Sequence, residues 1–569
     1  MFPGEALLRI KGFIINKRGI KKMRKIGIVL VIGLLLVGFA FAGGIVHNGN
    51  QSADYIRMMN RNASTDVDAV YFNPAGLTYL NDGLSFYVSN QTIYQGRTIK
   101  SDVPSLNNDT FEGYTFAPAF PNFYFAYKKD KLAIGAGFVA IGGGGSAVFD
   151  DGLPSFEVPV SLLPAGLTAS GIPTSNYDLD VAFDGSSIYM GGQAVVSYKI
   201  NDMVSVAGGA RYFAASNSYT GHLKDIMIDP NYPAAGYNGS MTSAPEFFTT
   251  MAGALTAGAA QALGGAASAQ AGAEGLQPFI DGGAGSFTFD QLIGAQMVDQ
   301  ATVDGIGAGV VALGGTFDSS TDTPTGIQTF FSGTAAYLTG YSAELTANAG
   351  AMAANAAGTQ DIEVDAKQTG SGFAPIIGLY LTPMEGLAIA LRYEGKAAMT
   401  LTNDTEVDGS GLFPDEAEIG ADMPAMFNVG LALKAAPSLQ IVADINYYLN
   451  TGVDWDGKED YLKDGMEAGV GFDFALNESL QLSAGFLRTL NTGALPRYHT
   501  DLSHTIASST IGAGGRYNIN SNLYLSFGVS NTFYDGLNKS GVDYRGMATG
   551  NETYDKTSID FAIGIGYSR

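Results

Sequence analysis

The feature that most constrains the fold of this chain is a period-two alternation of apolar residues with small or polar ones, in segments of about ten residues. The last segment shows it well. The side chains that point one way in an extended strand are Ile559, Phe561, Ile563, Ile565 and Tyr567. After residue 42 no apolar stretch reaches the length of roughly 18 residues that a membrane helix needs, so helical spans are excluded. Alternation of this kind without apolar helices is typical of a membrane β-barrel.

Fourteen such segments can be counted, an even number, as single-chain bacterial barrels require. They are 83–98, 111–128, 131–145, 181–200, 203–220, 363–382, 386–402, 421–435, 437–450, 464–476, 479–490, 504–519, 522–534 and 556–568. Short turns and long connections alternate between them, which suits short periplasmic turns and long external loops. The sequence therefore predicts an all-β fold, a 14-stranded antiparallel transmembrane β-barrel in the outer membrane of a diderm bacterium, with its loops extracellular.

The segments outside the strands complete the predicted domain organisation. A basic start, an apolar run over 26–39 and the small-residue site Ala40-Phe41-Ala42 form a secretory signal peptide pattern over 1–42, in which Met23 opens a complete signal by itself. Residues 43–82 are long enough for a hatch, or plug, inside the barrel of residues 83–569. The long connection 221–362 is an extracellular insertion, and its Ala-rich stretches 245–276 and 325–358 predict helices, although internal glycines weaken them.

Composition excludes several classes of function. The chain has no Cys, so neither a disulfide framework nor a cysteine metal site can form. Its net charge of −23 argues against general nucleic-acid binding. Four His residues offer no convincing catalytic arrangement, and the acidic loop 454–460 does not have the spacing of a twelve-residue calcium loop. We therefore expect no enzyme activity, no cofactor and no metal.

Two short motifs resemble those of a known family. Residues 68–77 read DAVYFNPAGL, and residues 421–425 read ADMPA at the start of a strand. The first resembles the N-terminal Asn-Pro-Ala signature of the FadL/TodX family of outer-membrane hydrophobic-compound transporters, and the second resembles that family's Asp-Leu-Pro-Ala element. The resemblance implies a hatch followed by fourteen strands. It also implies passive uptake of long-chain fatty acids or aromatic hydrocarbons through capture outside the cell, a lumenal site and plug-gated or lateral release.

The resemblance also assigns roles to particular residues. Asn73, Pro74 and Ala75 are expected to hold or gate the plug, although Asn and Pro favour a turn on their own. The run Gly142, Gly143, Gly144 and Gly145 is expected to form a kink that opens the wall sideways, since Gly inside a strand often marks a bulge or bend. The alternative for this run is an ordinary flexible loop entry.

A fatty acid would need an apolar slot for its tail and a donor for its carboxylate, because an unpaired buried charge is costly. Strand phase places four basic residues on the lumenal side: Arg211, Arg392, Lys396 and Arg516. These are candidates for carboxylate binding. The alternative is that they pair with lumenal acids such as Glu394, Asp444, Glu467, Asp473 and Asp560, and so hold the shape of the barrel.

The insertion offers a candidate for first capture of substrate. Phe247, Phe248, Met251 and Leu255 fall at helical spacing and form one apolar face. This face either captures substrate or packs only against the second predicted helix. The expected partners are a hydrophobic small molecule, outer-membrane lipid and the barrel-assembly machinery. The alternative function is a structural or adhesive surface protein that displays 221–362.

Overall fold

The computed structural model describes residues 52–569, so the predicted signal peptide and the first residues of the predicted plug lie outside the described residues. Contacts divide this part of the chain into two compact units. The barrel unit contains 52–158, Asp180–Lys224 and Ile362–Arg569, and the helical unit contains Pro159–Leu179 and Asp225–Asp361. Among the described helices, none combines the length and the apolar character needed to cross a membrane.

Fourteen antiparallel strands form the wall of the barrel unit, which confirms the predicted strand count. They are β1 (Gly83–Ser101), β2 (Thr110–Lys129), β3 (Leu132–Phe149), β4 (Tyr177–Lys199), β5 (Val204–Ile228), β6 (Ile362–Met384), β7 (Leu387–Glu394, resumed at Thr400–Asp408), β8 (Glu418–Gly420, resumed at Ala425–Ala436), β9 (Leu439–Leu449), β10 (Leu462–Ala475), β11 (Leu480–Ala494), β12 (Ser508–Asn518), β13 (Leu523–Tyr534, resumed at Leu537–Asp543) and β14 (Thr549–Ser568). The first strand pairs with the last, with Ser85 opposite Ser568, so the wall closes on itself.

The period-two pattern sorts side chains between the two faces of the wall as expected. In β14, Ile559, Phe561 and Ile563 are 40%, 49% and 64% exposed, whereas Asp560 and Ala562 are each 8% exposed. An apolar outer face and a polar or small inner face are what a strand needs when one side meets lipid. The wall is therefore that of a transmembrane β-barrel of the outer-membrane type.

The ladder between β2 and β3 is interrupted in its middle. Paired residues run without a break from Lys129↔Leu132 to Asn122↔Val139, and the next pair is Tyr114↔Val148. Between these points the described residues 115–121 and 140–147 form no ladder pairs with one another. Pro118 and Pro121 lie in the interrupted part of β2, and proline cannot donate to a ladder, so it is confined to edges and bulges. The prolines thus fit the gap because they remove donors that would otherwise need partners.

The chain before β1 folds as a plug against the inner wall. It contains α1 (Ala53–Ile56), α2 (Ala69–Phe72) and a 3₁₀-helix (Pro74–Tyr79), and it packs with lumenal side chains into one buried cluster. Glycines of the wall make room for its backbone. A Cβ at Gly485 would lie 1.9 Å from Met58 O, and one at Gly512 would lie 2.0 Å from Ile56 O. The small residues on the inner face of the strands are therefore required by the plug.

The insertion between β5 and β6 is helical, as predicted. It contains α5 (Ala244–Asp281), α6 (Phe289–Gly294), α7 (Gln300–Ala312) and α8 (Pro324–Gly358), whereas the short helices α3 (Pro154–Ser161) and α4 (Leu163–Ala169) lie between β3 and β4. Glycines seven residues apart on α5 let α8 approach closely. Cβ atoms at Gly258, Gly265 and Gly272 would lie 3.3, 3.0 and 3.0 Å from the side chains of Leu345, Leu338 and Phe331 respectively.

Candidate functional site

Three arginines fasten the plug through buried ion pairs. Arg57 contacts Asp54 of the plug at 2.9 Å and Asp473 of β10 at 3.2 Å. Arg516 of β12 contacts plug carboxylates, Asp66 at 2.8 Å and Asp54 at 3.1 Å. The third arginine, Arg61, belongs to the plug and contacts Asp66 at 2.6 Å. Because one wall arginine and one wall carboxylate take part, the plug is held to the barrel by charge as well as by packing.

Asp444 of β9 adds a further anchor on the same side of the barrel. Its Oδ2 accepts the backbone N–H groups of Arg61 and Asn62 at 2.6 and 2.8 Å. A carboxylate that accepts two backbone donors satisfies groups that a non-helical buried segment would otherwise leave unpaired. Asp444 thus acts as a docking point for an irregular part of the plug.

The Asn-Pro-Ala motif lies against the opposite strands. Asn73 Nδ2 donates to the carbonyl oxygens of Leu379 in β6 and Leu391 in β7, each at 3.1 Å. Its Oδ1 accepts from Ala75 N at 3.1 Å and so caps the 3₁₀-helix. The Pro74 carbonyl accepts from Ser197 Oγ of β4 at 2.5 Å. The motif therefore joins the plug to three strands, and its gating role stays a prediction.

Two of the carboxylate-binding candidates form one buried cluster. Arg211 of β5 contacts Glu394 at 3.1 Å, and Arg392 contacts the same carboxylate. The guanidinium of Arg211 also lies over the ring of Tyr71 in the plug, 4.4 Å from its centroid. All three charged side chains are at most 3% exposed. The cluster is therefore buried and in contact with the plug.

The other two candidates are also paired with acids. Arg516 holds the plug, as described above, and Lys396 contacts Asp422 at 2.6 Å. Asp422, in the second motif, also accepts the backbone N–H groups of Met399 and Asp454, both at 3.0 Å, and so organises the start of β8. All four basic residues thus show the pairing that was the alternative to substrate binding. A role in carboxylate binding remains untested.

A cavity of about 240 Å³ lies inside the barrel unit, next to the plug. Its floor includes Tyr55, Ile56 and Met59 of the plug. Its wall comes from β1, β2, β3 and β10–β14 and includes Ala117, Phe120 and Gly143. Ala117 and Phe120 flank the bulge at Pro118 in β2, and Gly143 lies in the facing stretch of β3. The cavity therefore adjoins the gap between β2 and β3.

The glycine run lies at this gap. Gly143 has φ +90°, and a Cβ there would lie 2.0 Å from the carbonyl oxygen of Ser187. The register between β3 and β4 shifts between Ala140 and Gly142 and again between Gly142 and Gly145. Only glycine adopts this backbone at low cost. The run is thus an irregular part of a strand, whereas the alternative was a flexible loop entry. Lateral opening at Gly142–Gly145 stays a prediction.

A second cavity, of about 520 Å³, lies within the helical unit. It is lined mainly by α5 and α7 and by Phe331 of α8. Glycines leave much of its space open, since Cβ atoms at Gly275 and Gly305 would meet nothing within 4 Å. Its lining is otherwise largely apolar, including Leu276 and Phe279.

The four capture candidates do not line this second cavity. Phe247, Phe248, Met251 and Leu255 are each at most 1% exposed, and Tyr237 packs edge-on against Phe247 with ring centroids 4.9 Å apart. Their face is buried, and Tyr237, which it contacts, lies outside the second predicted helix. Both alternatives, capture of substrate and packing against that helix, remain untested. An amphipathic face alone could not have revealed the cavity, because glycines on neighbouring helices form it.

The described residues contain no group of three or more His, Asp or Glu side chains placed to hold a metal ion. Sequence reasoning also missed residues that shape the site. Pro118 and Pro121 indicate an unpaired stretch of strand in the sequence itself. No such signal pointed to the contact of Arg516 with Asp66, which is 450 residues away in the chain.

The comparisons with known proteins concern the fold. No protein-family model matches the chain, and no curated protein matches its sequence. A Pseudomonas aeruginosa FadL homologue of known crystal structure is similar over 92% of this chain and 99% of its own, with 11% identity and a TM-score of 0.52. The Pseudomonas putida toluene transporter TodX gives 13% identity over 92% and 99%, with a TM-score of 0.48. The first of these confirms, at the level of the fold, the resemblance inferred from the motifs: the chain has a FadL-type barrel.

Proposed function

We propose that this protein is an outer-membrane channel for passive uptake of hydrophobic compounds, with the helical insertion outside the cell. The observation that carries the proposal is the cavity of about 240 Å³, which lies between the plug and the interrupted β2–β3 ladder. A compound in this cavity is separated from the lipid by a wall that lacks regular pairing. The FadL-type fold supports the proposal, because the solved relative is named for that family of channels.

The size of the cavity favours compact compounds. A cavity of about 150 Å³ is large enough to bind benzene, whereas pockets for drug-sized ligands span roughly 300–1,000 Å³. A volume of about 240 Å³ therefore suits a substituted single ring or a short chain. The sequence favoured long-chain fatty acids. The cavity fits only part of such a molecule, and no basic residue lies in its described lining.

Capture would take place at the cavity of the helical unit, whose apolar lining and larger volume suit many hydrophobic compounds. The plug would close the path towards the periplasm, since its ion pairs and the Asn73 hydrogen bonds hold it to strands on both sides of the lumen. Release would follow the gap into the lipid.

A bulky residue in the lumenal cavity tests this path. Ala117→Trp would fill the cavity at the gap, whereas Phe116→Trp is the matched control, because Phe116 is the next residue and is 50% exposed on the outer face. We expect Ala117→Trp to reduce uptake of radiolabelled toluene by intact cells to the level without the protein, and Phe116→Trp to leave it unchanged. Unchanged uptake by a correctly folded Ala117→Trp barrel would refute the path.

A second pair of variants tests capture. Gly275→Leu would fill the cavity of the helical unit without a clash, and Gly253→Leu is its control, because a Cβ at Gly253 also meets nothing within 4 Å but the residue does not line the cavity. We expect Gly275→Leu to slow uptake at low substrate concentration only. Equal uptake by both variants would place capture elsewhere.

A further inference from the structure

The lumenal cavity presents several buried hydrogen-bond acceptors. Two of its lining residues are carboxylates, Glu467 of β10 and Asp560 of β14, and both are only 8% exposed. Gln91 of β1 lines the same cavity and is 3% exposed. Its side-chain oxygen accepts no hydrogen bond from any residue that the structure describes. A buried acceptor without a partner is unusual and calls for a donor.

The hydroxyl groups around the carboxylates add to this acceptor character. Ser530 and Ser558 donate to the Asp560 carboxylate at 2.9 and 3.3 Å, and Thr489 donates to Glu467 at 3.4 Å. A hydroxyl has one proton and two lone pairs. Because these protons are already donated to carboxylates, the hydroxyls offer lone pairs to a further ligand. One proton remains free in the pair formed by Thr510 and Thr532 at 3.0 Å.

Positive charge is lacking at the cavity surface. Among the described residues that line it, none is Lys, Arg or His. Arg97 is not among the described lining residues, and its Nε donates to Oε1 of the lining residue Gln95 at 3.0 Å. The arginines of the plug are paired with acids, as described above. Among the described lining residues, an anionic ligand would therefore meet two carboxylates and no cation.

We propose that this cavity selects small hydrophobic compounds whose polar end donates hydrogen bonds, namely a hydroxyl or a protonated amine, and that it rejects carboxylates. The inference rests on the proposed uptake function and adds the chemical class of the substrate. The apolar part of the compound would contact Ile56, Met59 and Leu487, and its donor would face Asp560 and Gln91. A site built to pair with a substrate donor discriminates strongly against analogues that lack it, because its buried acceptors then stay unpaired.

Four compounds of one ring and similar size test this class: benzyl alcohol, benzylamine, toluene and benzoate. Their binding to the full chain in lipid nanodiscs is measured by calorimetry at pH 7, with empty nanodiscs to subtract partition into lipid. We expect benzyl alcohol and benzylamine to bind about tenfold more tightly than toluene, and benzoate to bind most weakly. This ranking needs no variant, so it does not depend on the folding of one.

A variant then tests whether Asp560 causes the preference for ligands that donate hydrogen bonds. Asp560→Asn keeps the size of the side chain but removes its charge, and we expect it to weaken benzylamine binding about tenfold relative to toluene binding. Asp202→Asn is the control, because the Asp202 side chain is fully exposed on a turn.

The outcomes separate the two proposals. Equal binding of all four compounds, or benzoate binding as tightly as benzyl alcohol, overturns the selection of donors and leaves the uptake channel standing. If none of the four compounds binds and Ala117→Trp has no effect on toluene uptake, the channel itself is refuted, and the inference with it.

Discussion

Replacing Arg516 by Gln should loosen the plug without unfolding the wall. The guanidinium of Arg516 is 11% exposed and contacts Asp66 at 2.8 Å and Asp54 at 3.1 Å, both on the plug. Removing one partner of a buried ion pair costs about 3–5 kcal/mol. The low end applies here, because Asp54 keeps Arg57 at 2.9 Å and Asp66 keeps Arg61 at 2.6 Å.

A loss of about 3 kcal/mol raises the population of the detached plug roughly 100-fold, since each 1.4 kcal/mol is a factor of ten. Hydrogen exchange followed by mass spectrometry reports this population directly, because backbone amides of the plug exchange when it detaches. We expect plug peptides to exchange roughly 100-fold faster in Arg516→Gln, while peptides of the wall strands exchange as before.

The control for this experiment is Arg488→Gln, which removes an ion pair with Asp535 whose side chains are 32% and 46% exposed. Exposed pairs contribute about 0–1 kcal/mol, so plug exchange should not change. If plug peptides of Arg516→Gln exchange at the rate of the unmodified chain, the ion pairs do not hold the plug and the reasoning is wrong.

Three further results are expected. Gly143→Ala should lower the free energy of unfolding of the barrel by at least about 2 kcal/mol in urea titrations, because the residue has a positive φ and the new Cβ would lie 2.0 Å from Ser187 O. Gly192→Ala is the control and should not destabilise the barrel, because its Cβ would meet nothing within 4 Å. Asn73→Ala should speed proteolysis of the plug several-fold, since it removes about 1–3 kcal/mol of hydrogen bonding to two strands. Unchanged proteolysis would show that Asn73 does not hold the plug. Burial alone would raise the pKa of Asp66, but Arg516 and Arg61 outweigh it and hold the pKa well below its usual range. This contribution to plug stability is complete above the unfolded value of about 3.9 and is lost only below it, so the ratio of plug exchange between Arg516→Gln and the unmodified chain, corrected for intrinsic rates, should be the same at pH 7 and pH 5.

The wall of the barrel could be predicted from sequence because its causes are local. Lipid on one face and a crowded lumen on the other impose a period of two on every strand, and the count of fourteen follows from reading that period. The Ala-rich stretches of the insertion could likewise be read as helices, and α5 and α8 begin and end close to the predicted bounds. Both inferences depend only on neighbouring residues.

The candidate site could be predicted only in part, because its contacts join distant parts of the chain. Strand phase correctly placed Arg211, Arg392 and Glu394 on the lumenal face. It could not show that two guanidiniums share one carboxylate, since that depends on how β5 and β7 are juxtaposed across β6. The sequence also could not predict the balance of hydrogen-bond donors and acceptors in the lumenal cavity, because that balance depends on which hydroxyl donates to which carboxylate.

The break in the ladder between β2 and β3 is caused mainly by features of the backbone. Proline supplies no N–H at positions 118 and 121, a positive φ bends the chain at Gly143, and the carbonyl of Pro118 accepts from the side chains of Asn90 and Thr92. Substituting the side chains that line the cavity changes its polarity and volume but leaves this break in place. The polarity of the cavity and the break in the wall are therefore set by different atoms, so mutation can change the first without rebuilding the second.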